Sequence, residues 1–302
     1  MRGAPILVTG GSGFIGGRLL KALLEEGADV TVADERPCPE PGVRTVLGDL
    51  TDPGVRDAAV AEGTTAIVHL AAVTSVLRSI DDPVRTHEVN VGATAGLLEL
   101  ARRRGVQRFV LASTNAVTGD VGSRTIDESI PPRPLTPYGS TKAAGEMLLS
   151  GYSASYGLAG TVLRFANVYG PGMAHKDSFV PRLMRAAASG QGVQIYGDGA
   201  QLRDYVHVDD VVQAIMLALR TGHTGPLVIG SGRSESVNDL VAAARTVTGA
   251  SLPVEHVPAK AGEMPAVVLD ITAARALGYE PRHTLASGLA TAWPDFAPEP
   301  VR

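Results

Sequence analysis

Short apolar runs alternate with longer amphipathic stretches over the first 170 residues or so. Ile6–Val8, Asp29–Ala33, Arg44–Leu47, Ala66–His69, Arg108–Ala112 and Thr161–Phe165 have the length and composition of strands in a parallel sheet. Between them, Phe14 to about Glu26, Pro83 to Arg103 and Tyr138 to Tyr156 read as helices. Strands that alternate with helices predict an α/β fold, a doubly wound parallel sheet covered on both faces. Ligands of such sheets bind at the carboxyl ends of the strands. After Asn167 turn-rich segments appear, with helices near Val180–Ser189, Asp209–Arg220 and Val237–Val247. The expected division is 1–169 for the sheet domain and 170–302 for a smaller mixed α/β substrate lobe. A segment near 204–230, with a strand at about Pro226–Ile229, returns to the main sheet.

The first strand runs directly into Gly10-Gly11-Ser12-Gly13-Phe14-Ile15-Gly16. Gly10 permits a tight turn, Gly13 lets the backbone approach a phosphate, and Gly16 lets the helix pack closely on the strand. The helix that follows points its N–H groups and positive dipole end at the glycines, which suits a pyrophosphate. Asp34 closes the second strand, 18 residues after Gly16. A carboxylate there accepts hydrogen bonds from both ribose hydroxyls of an adenosine and repels a 2′-phosphate. The expectation is a Rossmann-type domain that binds NAD rather than NADP, although Arg36, two residues on, argues mildly the other way. Asp49, after the third strand, is placed to hold the adenine amino group.

Tyr138 and Lys142 stand four residues apart, on one face of a predicted helix. A tyrosine is a poor base at neutral pH, but a nearby ammonium or a cationic nicotinamide favours its phenolate. That makes Tyr138 a candidate acid/base for a sugar or alcohol hydroxyl. Lys142 can also hydrogen-bond a ribose. The bland alternative is an exposed helical pair. Thr114, at the end of the fifth strand, would offer its hydroxyl to the reacting oxygen.

Composition removes several classes of function. The chain has 302 residues, 44% hydrophobic and 19% charged, with net charge −4. Nothing in that balance forms a nucleic-acid footprint, and Arg102-Arg103-Arg104 reads as a solvated helix end. One cysteine, Cys38, excludes an internal disulfide, and the seven histidines lack zinc spacing, so no metal site is expected. No signal-peptide pattern or membrane-length apolar run is present, which gives a soluble cytoplasmic protein without membrane partners as the expectation.

Nearly the whole chain resembles the extended short-chain dehydrogenase/reductase family, within its nucleotide-sugar epimerase/dehydratase group. It is most similar there to the UDP-glucose 4-epimerases. The resemblance is carried by Thr9–Gly16, Gly48-Asp49-Leu50, His69-Leu70-Ala71-Ala72, Asn90-Val91, Ser113-Thr114 and Tyr138-x-x-x-Lys142. Leu163–Pro171 and Arg203–Asp210 extend it into the second half. It implies that Gly10, Gly13, Phe14, Ile15, Gly16, Asp34, Asp49, Leu50, Leu70, Ala71, Ala72 and Asn90 line NAD, with Tyr138 and Lys142. It implies Thr114, Tyr138 and Lys142 as the catalytic set. Thr114, Asn167, Val180, Tyr196, Arg203, Lys260, Glu263 and Val267 would meet the nucleotide sugar, with Asn167 and Arg203 at its diphosphate and Tyr196 beside its base. It also implies a homodimer that pairs helices such as Pro83–Arg103 and Tyr138–Tyr156.

Three departures from the family pattern matter. Thr118 stands where the family often reads tyrosine. Asn115 and Ala116 follow Thr114 where the 4,6-dehydratases resemble Asp-Glu and the decarboxylases Ser-Glu, and an amide does not exchange protons as a carboxyl does. Val267 falls where epimerases carry the residue that gates the C2 substituent, so N-acetylhexosamines are expected to fit. The function implied is redox-neutral 4-epimerisation of a nucleotide-linked hexose, of the UDP-glucose/UDP-galactose type, through a transient 4-keto sugar with NAD. The alternatives are an NAD(P)-dependent 4-ketoreductase or dehydrogenase, then a dehydratase or decarboxylase of the same family. A non-catalytic cofactor-sensing protein is a reading of another class.

Overall fold

The computed structural model describes residues 1–259 and 266–297. Its main sheet is built from β1 (Pro5–Thr9), β2 (Asp29–Asp34), β3 (Arg44–Leu47), β4 (Ala66–His69), β5 (Arg108–Thr114) and β6 (Ala159–Phe165). Three strands follow in the smaller lobe: β7 (Asn167–Tyr169), β8 (Val193–Tyr196) and β9 (Leu202–His207). Next comes β10 (Gly225–Ile229), which returns to the main sheet as its seventh strand, in the order β10-β6-β5-β4-β1-β2-β3. All its pairings are parallel. This is the Rossmann-type doubly wound architecture expected from the apolar pattern.

Alternation along each strand divides the apolar side chains between two cores. Ile6, Val8, Val68 and Val110 face Leu19, Leu20 and Leu23 of the helix Phe14–Glu25 and Val211 and Ile215 of the helix Val208–Thr221. Leu7, Ile67, Phe109 and Leu111 face the opposite way, onto Leu97, Leu98 and Leu149 of the helices Ala93–Arg103 and Pro137–Tyr156. A strand buried on both faces therefore needs no polar alternation, which is why these runs are continuously apolar.

The second lobe has its own apolar cluster around Tyr169, Leu183, Met184, Ile195 and Leu240. Of the 204–230 segment, Gly225–Ile229 alone adds a strand to the main sheet. Leu202–His207 instead lies between β7 and β11 (Ser234–Ser236) in a three-stranded sheet, and the helix Val208–Thr221 covers the main sheet's face. β12 (Val254–Val257) pairs in parallel with β8.

The helix expected over Pro83–Arg103 is interrupted. A short helix Pro83–His87 passes through a π-turn, Glu88–Gly92, into the helix Ala93–Arg103. The wider turn carries Asn90 inward, where it is buried. No helix among the described residues is long and apolar enough to cross a membrane.

Candidate active site

The order of the main sheet reverses between β1 and β4, which opens a crevice at their carboxyl ends. With the second lobe above, this crevice becomes a cleft of about 1340 Å³.

The glycine turn after β1 forms its floor. Gly10 has φ +71°, and a Cβ there would lie 2.8 Å from the Ala71 nitrogen, so the turn and the end of β4 touch backbone to backbone. A Cβ on Gly16 would collide with the Gly10 carbonyl oxygen. Gly13 starts the helix Phe14–Glu25 without a side-chain cap. Its first N–H groups are thus left to a ligand, which is what a dinucleotide pyrophosphate requires. Asp34 is fixed beside them. One carboxylate oxygen accepts the Ser12 N–H at 3.0 Å, the other the Arg36 N–H at 3.0 Å. The residues present therefore fit NAD: uncapped donors for the pyrophosphate and an oriented carboxylate for the ribose.

Gly10, Gly13, Phe14, Ile15, Gly16, Asp34, Asp49, Leu50, Leu70, Ala71 and Ala72 all line the cleft. Asn90 does not. Its side-chain oxygen accepts the Val73 N–H at 2.8 Å, and its amide nitrogen donates to the Val73 carbonyl and to Thr141, each at 3.0 Å. Asn90 therefore shapes the loop after β4 from behind, because the π-turn points it into the core. Asp49 carries an unforeseen partner. Arg85 donates to its carboxylate in a short ion pair, and the Thr51 N–H meets its other oxygen at 2.8 Å.

The reactive side chains are set by the start of one helix. Thr136 caps it by accepting the Gly139 N–H at 3.2 Å, and Pro137 occupies the first turn, where no N–H is needed. The next N–H, that of Tyr138, donates to Ser79 at 3.1 Å. A Cβ on Gly139 would lie 2.9 Å from the Ala116 carbonyl oxygen, so this helix closes tightly on the turn that follows Thr114. Tyr138, Lys142 and Thr114 consequently face one space.

Electrostatics here differ from the simple expectation. Burial pushes the Tyr138 phenol up to about 12, against a hydrogen bond with Thr114 that acts the other way. The Lys142 ammonium donates to the Ala112 carbonyl at 2.8 Å. Burial brings Lys142 itself down to about 8, opposed by the Glu146 carboxylate. Lys142 is therefore protonated below that value and neutral above it. If its charge is required, kcat falls as pH rises through about 8. A pH–rate profile flat to about pH 9.5 would contradict this.

Glu146 is a residue the sequence reading missed. It lies one further turn along the face shared by Tyr138 and Lys142. It accepts from Ser113 and forms a fully buried ion pair with Arg164 at 2.8 Å. The spacing of four from Lys142 was the available signal. Thr118 also gains an account: it is buried, and its hydroxyl donates to the Asn115 carbonyl at 2.8 Å, fastening the turn after Thr114.

On the substrate side, Asn167, Val180, Tyr196, Arg203 and Val267 line the cleft. Val267 is held by its N–H to the Leu202 carbonyl at 2.9 Å. Lys260 and Glu263 lie outside the described residues. His207, Asp209 and His283 cluster away from the cleft. His207 accepts the Asp209 N–H at 3.2 Å and meets Thr291 at 2.9 Å, while Arg18 holds Asp209 at 2.6 Å, so their polar atoms serve a helix start.

The model of the NAD dependent epimerase/dehydratase family matches residues 6–230. The structure of a UDP-glucose 4-epimerase from Thermotoga maritima, solved with UDP-glucose, is 33% identical, with a TM-score of 0.91 over 97% of this chain and 98% of that one. A UDP-glucose 4-epimerase from Thermus thermophilus, solved with NAD, is 34% identical, with a TM-score of 0.89 over the same shares. A dTDP-glucose 4,6-dehydratase of Streptomyces niveus is 36% identical across 94% of this chain and 90% of its own.

Proposed function

The chain belongs to the NAD dependent epimerase/dehydratase family, and as an NAD-dependent member acting on nucleotide sugars we propose that it is a redox-neutral 4-epimerase of a UDP-linked hexose. The observation that carries this reading is the trio Thr114, Tyr138 and Lys142 in one cleft, followed by Asn115-Ala116 in place of carboxylates. Overall identity does not separate the reactions, since the dehydratase relative is as similar as the epimerases. The side chains next to Thr114 favour epimerisation. Elimination of water needs a proton donor and acceptor there, and an amide and a methyl group supply neither.

When bound, NAD supplies the reversible redox step at the sugar carbon. The protein's part is binding, orientation and proton handling. Tyr138 exchanges the 4-hydroxyl proton, and Thr114 lowers the cost of the phenolate through its hydrogen bond. Positive charge supplied by bound NAD would pull the same way on the phenol of Tyr138. Lys142, tied to Ala112, supplies positive charge and a donor for the nicotinamide ribose. Asn167 and Arg203 hold the substrate diphosphate, where a planar guanidinium suits phosphate oxygens. The test is formation of the C4 epimer with no net change in cofactor.

Val267 sets the substrate range. Its short side chain leaves room beside the sugar that a tyrosine would fill, so N-acetylhexosamines enter as well as hexoses. Val267→Tyr is expected to cut turnover of UDP-N-acetylglucosamine by about 10-fold or more while hexose turnover persists. Acetylated turnover unchanged in that variant removes Val267 as the gate.

The same chain is proposed to act as a homodimer. Leu77, Ile80, Val84 and Met147 are large apolar side chains, each more than half exposed. They lie on neighbouring helices, Val76–Asp81, Pro83–His87 and Pro137–Tyr156. A second copy that covers this face removes them from water.

A further inference from the structure

A cation in the cleft wall has no ion-pair partner among the described residues. Lys176 lies on the turn between β7 and the helix Phe179–Ser189, half-buried, and lines the cleft together with Arg36 of the first lobe. Among the described residues its ammonium has no hydrogen-bond or ion-pair partner. Burial holds Lys176 below its ordinary pKa, and Arg36 adds to that. The exposed neighbour His175 is lowered by burial, by Lys176 and by Arg36. Arg36 reaches Asp34 only at 3.9 Å, while its guanidinium donates to the Ser12 carbonyl at 3.1 Å.

The backbone keeps this arrangement in place. The Lys176 N–H donates to Met173 at 2.8 Å, and the Lys176 carbonyl accepts from Arg185 at 2.9 Å. Upstream, the Gly172 N–H donates to Asp295 at 2.6 Å, and a Cβ on Gly172 would touch the Phe14 ring at 3.6 Å. The turn that bears Lys176 thus packs over the first residue of the helix that begins at the glycine turn. These two cations from opposite lobes repel, and an anion that meets both relieves the repulsion. An anion approaching the uncapped start of that helix would come between them.

We propose that Lys176 and Arg36 form a clasp, one arm from each lobe, for the diphosphate of the bound dinucleotide. Arg36 assigns the clasp to the cofactor rather than to the substrate, because it follows Asp34 and is fastened to the glycine turn. The clasp draws the second lobe onto the cofactor. This inference rests on NAD as the cofactor and on nothing about the sugar, so a failed epimerase assay leaves it standing.

Calorimetric titration of the full chain, stripped of nucleotide, tests the clasp with ADP, adenosine and UDP as probes. Lys176→Met is expected to weaken ADP by ~10-fold, the lower end for a hydrogen bond to a charged group. Adenosine should change by less than about twofold, because it carries no phosphate. The dependence of ADP affinity on salt, between about 0.01 and about 0.15 M, should flatten, and Lys176→Arg should restore binding. The melting temperature should not fall, since among the described residues the Lys176 ammonium has no partner to lose. Unchanged ADP affinity in Lys176→Met overturns the proposal. So does a loss confined to UDP, which would assign the cation to the nucleotide sugar.

Discussion

Tyr138→Phe is expected to lower turnover by about 10²–10⁴-fold while leaving NAD binding intact. The change removes one oxygen. The ring still fills its place in the cleft wall, and the helix start still rests on Thr136, Pro137 and Ser79, whose hydrogen bonds there run to backbone N–H groups and not to the phenol. The missing group is the one that exchanges the substrate proton. Burial pushes the phenol up to about 12, which favours its protonated form at neutral pH. Positive charge must therefore assemble around it before it can act as a base. Steady-state kinetics beside a titration with NAD separate the two effects. Turnover within threefold of the parent would refute the assignment of Tyr138 as the acid/base.

Glu146→Ala is expected to destabilise the fold by about 3–5 kcal/mol, the usual cost of removing one partner of a buried ion pair. Glu146 and Arg164 are each about 3% exposed and meet at 2.8 Å, and Ser113 donates to the same carboxylate. Truncation leaves the Arg164 guanidinium in an apolar site, with the Ile130 carbonyl at 3.5 Å as its remaining acceptor. The cost comes from that orphaned charge rather than from the lost attraction. Urea unfolding measures it as a lower midpoint at constant slope. A midpoint equal to the parent's would mean that water or a neighbour takes over the arginine. The site feels the change too. Lys142 loses the carboxylate that supports its protonation, so the alkaline limb of the pH–rate profile moves to lower pH.

The parts of this molecule that were legible in its sequence are those written in local pattern. Continuous apolar runs such as Ile6–Val8 mark strands buried on two faces, and the glycines at 10 and 16 mark places where backbone meets backbone. The Tyr138–Lys142 spacing is helical and therefore visible in one dimension. What stayed hidden depends on geometry that local pattern does not encode. Asn90 stands where the family resemblance implies a cofactor contact, but one extra residue in a π-turn rotates it into the core. Asp49 reads as an open acceptor until Arg85, 36 residues on, is found against it. Glu146 gains its meaning from Arg164 on a neighbouring strand. Lys176 is an ordinary loop lysine in the sequence and becomes a cation across from Arg36 only when the second lobe folds over the first.

The most direct test of the account is a proton NMR time course with UDP-glucose and UDP-N-acetylglucosamine, given only catalytic NAD. The account predicts the galacto epimer of both sugars, approached from either side, with no accumulation of reduced cofactor. A keto sugar that builds up in step with reduced cofactor, or a 4-keto-6-deoxy product, would contradict it.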